Sequence, residues 1–76
     1  MMKVNYNRLW KLLIDKGMSK TQLREQTGVT TNTIAKMGKN ENVSTEVICR
    51  ICKVLNCQIT DIMELVEEDE EIFNVS

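Results

Sequence analysis

Proline and histidine are both missing from this chain of 76 residues. Without proline, no helix is forced to break, and turns must come from glycine, asparagine and capping side chains. Without histidine, the most versatile general acid–base and a common metal ligand are gone. Only one Trp, one Tyr and one Phe are present although 42% of the residues are hydrophobic, so the core must be aliphatic. Three glycines leave no phosphate-cradling glycine loop, and no acid–base pair marks a cleft, so an enzyme is not expected. No apolar run approaches the roughly 20 residues of a membrane span. The opening MMKVNYNRLW has no apolar secretion signal, so a cytoplasmic location is expected.

Cys49, Cys52 and Cys57 are spaced C-x-x-C-x4-C. A metal site would need a fourth strong ligand, and a redox motif would sit at a helix start after a strand rather than mid-helix. They are expected to be small apolar packing residues in a reducing compartment, with neither metal nor cofactor.

What is present is rich in Leu, Ile, Lys and Glu, which favours a single all-helical domain. Tyr6, Leu9, Trp10 and Leu13 fall on one face of a first helix, about Tyr6 to Lys16, with Asn5 as its cap and Gly17 as its stop. Tyr6 and Trp10 are expected in the core. Ser19 and Gln22 form a capping-box pattern opening helix 2, roughly Lys20 to Gln26, anchored by Leu23 and ended by Gly28. Val29 plugs the turn. Thr30 caps helix 3, about 30–38, with Ile34 and Met37 inward and Ala35 small enough for close packing. Asn40 tolerates a left-handed turn. Ser44 caps helix 4, which runs to about Leu55 and stops at Asn56, with Ile48, Ile51, Cys52 and Leu55 at core spacing. Thr60 caps a fifth helix, DIMELV, offering Ile62, Met63 and Val66 for packing.

The net charge of −1 conceals a division. Residues 1–65 carry all ten Lys and Arg against six acids, while 66–76 carry five acids and no base. The boundaries expected are a domain over 1–66 and an acidic tail over 67–76. The last six residues suit either a disordered end or an edge strand.

Thr30, Thr31, Asn32 and Thr33 pose a puzzle, because threonine and asparagine are mediocre helix formers. Base edges in a DNA major groove would use them well. Asn pairs with adenine N6 and N7, a Thr methyl meets a thymine methyl, and Lys36 one turn on reaches a guanine or a phosphate.

The segment from Gly17 to Leu65 resembles the helix-turn-helix domains of Cro/C1-type, or xenobiotic-response-element-type, transcriptional regulators. The residues that carry the likeness are G-M-S, Leu23, T-G-V, T-x-x-T-I and STEVICRICKVLNC. The resemblance implies an all-α, five-helix, lambda-repressor-like domain with helices 2 and 3 as the helix-turn-helix. It implies sequence-specific binding of a double-stranded DNA operator as a repressor that blocks polymerase. It assigns Thr30, Thr31, Asn32, Thr33 and Lys36 to bases, and Lys20, Thr21, Lys39, Asn40 and Ser44 to phosphates. A homodimer on a palindromic site is expected, with helix 5 and the tail (Ile62, Val66, Ile72, Phe73) as its surface. Neither membrane nor small-molecule ligand is implied. Two positions depart from the family pattern. Arg24 stands where a small residue is usual, so either its stem snorkels along the helix pair or the helices sit further apart. Gly38 comes two residues before the usual glycine position, which Asn40 occupies. The competing expectation is a protein-interaction module of the same shape, such as an antitoxin or a cofactor, that makes little contact with DNA.

Overall fold

The computed structural model describes residues 1–67. Strand β1 (Met2–Asn5) leads into α1 (Asn7–Lys16), α2 (Lys20–Thr27), α3 (Thr31–Gly38) and α4 (Thr45–Leu55). A 3-10 turn over Ile59–Asp61 follows, then β2 (Glu64–Glu67).

Each of the four helices begins and ends where a local signal marks it. Asn5 accepts the Asn7 N–H at 2.8 Å, so it supports the first turn of α1 although Tyr6 occupies the cap position itself. Ser19 and Gln22 complete a reciprocal capping box at α2. Thr30 Oγ1 accepts the Thr33 N–H at 3.1 Å, and Ser44 Oγ accepts that of Val47 at 3.3 Å. Stops at Gly17, Gly28, Asn40 and Asn56 all take positive φ, between 54° and 76°. At Asn40 the backbone closes with two returning bonds, Asn40 N–H to Met37 and Glu41 N–H to Lys36, the pattern of a Schellman cap. Thus Gly38 stays inside the helix, and Asn40 makes the turn that glycine would otherwise make.

The C-terminal part corrects the expected architecture. There is no fifth helix among the described residues, so the fold is mostly helical with a two-stranded sheet rather than all-α. Thr60 lies within the 3-10 turn and caps nothing. The Asp61 carboxylate instead accepts the Gln58 N–H at 2.9 Å. Glu64–Glu67 pairs antiparallel with Met2–Asn5, in the register Met2↔Glu67 and Val4↔Leu65. The apolar residues at 62, 63, 65 and 66 fit a helical or an alternating pattern about equally. A distant strand supplies ladder partners, and that tips the choice. The strand also takes in Glu67, so the boundary drawn at 66 falls inside an element. Glu67 pairs with the N-terminal amine of Met1.

The core is aliphatic, as the composition requires. Leu9, Leu23, Met37, Ile51 and Ile62 are fully enclosed, with Leu13, Ile48 and Leu55 beside them. Ile62 is therefore unavailable as a dimer surface, while Ile72 and Phe73 lie outside the described residues. Tyr6 is buried as expected, its hydroxyl donating to Glu41 O at 2.9 Å. Burial raises its phenol above the ordinary pKa. Trp10 is only half-buried at the edge of the core, a correction to its expected place inside it. Met63 is likewise half-buried against the core. Cys52 and Cys57 pack there too, whereas Cys49 is exposed and packs nothing inward. Burial first, and neighbouring thiols second, push the Cys52 thiol up to about 11. Among the described residues no helix is long and apolar enough to cross a membrane.

Candidate nucleic-acid interface

The turn between α2 and α3 is built from inside. Gly28 takes φ 76°, a conformation that costs other L residues about 1–2 kcal/mol. Thr27 is buried and donates its hydroxyl to Leu23 O at 2.7 Å, while the same oxygen accepts the Val29 N–H at 3.4 Å. Val29 is buried, as the plug of the turn should be. Leu23 fixes α2 to the core and α2 packs on α4, while Ile34 and Met37 fix α3. These anchors set the direction in which the rest of α3 points.

That direction is outward. Thr31, Asn32 and Lys36 are exposed, Thr33 is half-buried, and Thr30 is exposed at the cap. The hydroxyls of Thr30 and Thr33 lie 3.0 Å apart. One of their two protons is spent between them, so the pair has a single hydroxyl proton left to donate. Ala35 is exposed, one turn beyond Thr31 on the same stripe, and does not serve the close packing expected of it. Its methyl group joins the outward face, where it suits a thymine methyl. The spacing Thr31 to Ala35 was the available signal for this, since an outward residue carries its i+4 neighbour outward too.

The flanking residues gather around that face. Lys20, Thr21, Arg24, Thr31 and Ile34 line one shallow cleft between α2 and α3. Arg24 is half-buried there, as a stem lying along the helix pair would be. Lys39 and Ser44 are exposed at the far end of α3 and the start of α4. Asn40 is placed differently: it is half-buried, and its Oδ1 accepts the Tyr6 N–H at 3.1 Å. Only its amide NH2 is left to face outward. Tyr6 thereby holds the α3–α4 loop through two bonds, a supporting role that only the folded chain reveals. On the α1 side, the Lys20 ammonium lies 4.3 Å from the centre of the Trp10 ring.

Two ion pairs stand away from this face. Arg8 meets Glu64 at 3.2 Å beside the sheet, and Arg50 meets Glu46 at 2.8 Å on α4. Glu25 is the sole acid among residues 16–40, which carry Lys16, Lys20, Arg24, Lys36 and Lys39. Among the described residues no group of acids and thiols converges to hold a metal ion.

The profile of the Cro/C1-type HTH DNA-binding domain matches residues 8–68. The chain belongs to this family. It is also similar to the crystal structure of the transcriptional regulator VanUg, Form II, at 57% sequence identity and a TM-score of 0.86. That likeness covers 88% of this chain and 89% of the other. None of the curated proteins compared matches the chain. Membership in the family accounts for the capped helices and the glycine turn as parts of a helix-turn-helix domain.

Proposed function

We propose that this Cro/C1-type protein binds double-stranded DNA by sequence, as a transcriptional regulator, with α3 in the major groove. The observation that supports this best is the division of α3 into two faces. Ile34 and Met37 are locked inside, while Thr31, Asn32, Ala35 and Lys36 are exposed together. Asn32 is suited to adenine, Thr31 and Ala35 to thymine methyl groups, and Lys36 to a guanine or an adjacent phosphate. The one hydroxyl proton that Thr30 and Thr33 leave free serves the border between base and backbone. Lys20, Thr21, Lys39 and Ser44, with the free amide of Asn40, surround that face as phosphate contacts that set register.

One domain of this size makes few base contacts, so useful affinity calls for a twofold dimer on a palindrome with half-sites about 34 Å apart. Occupying such an operator would block polymerase, which makes the protein a repressor. The acids that follow β2, Glu68, Asp69, Glu70 and Glu71, would compete for the basic face and lower affinity for random DNA, and deleting residues 68–76 should then raise that affinity at low salt.

Selection of bound sequences from a random DNA pool tests the whole reading. The expected result is a consensus with dyad symmetry, bound with a log–log salt slope of about −0.9 per phosphate contact. Failure to enrich any sequence, together with salt-independent binding, would overturn it and favour a protein partner.

A further inference from the structure

Lys20, at the proposed interface, is held differently from two cations outside it. Off the interface, Arg8 and Arg50 are held by the carboxylates of Glu64 and Glu46. A carboxylate fixes a cation but also cancels its charge. Lys20 is held by a neutral partner, the ring of Trp10 at 4.3 Å. A ring attracts the ammonium through its quadrupole and leaves the full positive charge in place.

The surroundings suit that arrangement. Trp10, Leu13, Ile14 and Met18 line a small apolar cleft together with Lys20, so the lysine stem has apolar surface to lie on. Lys20 itself remains exposed at the first turn of α2, beside Thr21. Its ammonium carries three donors, and a ring on one side leaves the others free for phosphate oxygens. An unheld lysine would have to lose most of its rotamer freedom on meeting DNA. The ring contact and the apolar cleft favour that ordering before DNA is met.

We infer that Trp10 is a positioning residue for DNA binding: its ring holds the Lys20 ammonium ready at the start of α2 to meet a backbone phosphate. This rests on the reading of Lys20 as a phosphate contact, and it goes further by assigning a role to a residue that touches no DNA. It also explains why the single tryptophan stands half-buried at the rim of the core rather than inside it.

A double-mutant cycle on the full chain tests the inference, using a labelled random-sequence DNA duplex titrated over a salt series. Trp10→Leu is expected to weaken binding about two- to fivefold, the range of an exposed cation–π contact. Lys20→Ala should weaken it more and flatten the salt slope by about one unit. The double variant should bind like Lys20→Ala alone, because Trp10 acts only through Lys20. Trp10→Phe keeps a ring and should recover most of the loss. Additive losses in the double variant, or wild-type affinity for Trp10→Leu, would overturn the inference while leaving the phosphate contact intact. If Lys20→Ala changes neither affinity nor slope, the phosphate contact itself falls and the inference falls with it. Should Trp10→Leu fail to fold, Trp10→Met replaces it in the cycle. Emission of the single tryptophan gives a check that needs no Trp10 variant. It should shift in free Lys20→Ala protein, and an unshifted spectrum would show that the contact is not made in solution.

Discussion

The helix-turn-helix, residues 19–38, and the terminal sheet were built by different kinds of information. Every boundary of the first is set by residues within a turn of it: Ser19 with Gln22, Thr27 with Gly28, and Thr30 with Thr33. The sheet depends on Met2–Asn5 meeting Glu64–Glu67, residues some sixty positions apart along the chain. Local devices state a conformation before the chain folds, whereas a ladder exists only once two distant segments have come together. The two regions also use burial differently. In α2 and α3 it fixes an orientation, so that one face is free to bind. In the sheet, Val4 is covered while Leu65, its partner in register, is left 62% exposed.

Four substitutions would break or sharpen that contrast. Leu23→Ala removes the fully enclosed anchor of α2 and should cost about 2–5 kcal/mol of stability in denaturant unfolding. Asn32→Ala should leave unfolding unchanged and lower discrimination at one operator position by about 1–3 kcal/mol. An equal loss on every duplex would contradict base reading by Asn32. Ser19→Ala removes one half of the capping box and should destabilise by about 1 kcal/mol, seen as a lower denaturation midpoint with unchanged sequence preference. Leu65→Lys, on the exposed side of β2, should change monomer stability by no more than about 0.5 kcal/mol. A larger loss that depends on protein concentration would place the dimer surface on the sheet.

The contrast also explains what could be read in advance. The four helices, the caps of α2, α3 and α4, and the left-handed stops at Gly17, Gly28 and Asn56 are legible because each is written in neighbouring residues, whereas Tyr6 rather than Asn5 takes the cap position of α1. The exposed stripe of Thr31, Asn32 and Lys36 is legible too, since Ile34 and Met37 fix the opposite face by helical period. The segment DIMELV reads as a helix because the spacing of Ile62, Met63, Leu65 and Val66 is ambiguous over so few residues. No local signal pointed to β1 as its partner. Ala35 was placed inward on size alone, although its spacing from Thr31 argued otherwise. Asn40 was matched to a backbone contact by position, yet its carbonyl is turned toward the Tyr6 N–H.

The sequence by itself determined an aliphatic helical core, the order of its caps, and a glycine turn leading into a helix with an outward polar face. All of these follow from side-chain chemistry acting over a few residues. Only the tertiary structure decided that Met2–Asn5 and Glu64–Glu67 form a sheet, that Tyr6 supports the loop after α3, and that the ring of Trp10 lies beneath Lys20. The physical reason is distance along the chain: a hydrogen bond or a cation–π contact between remote residues has no energy until packing has brought them together.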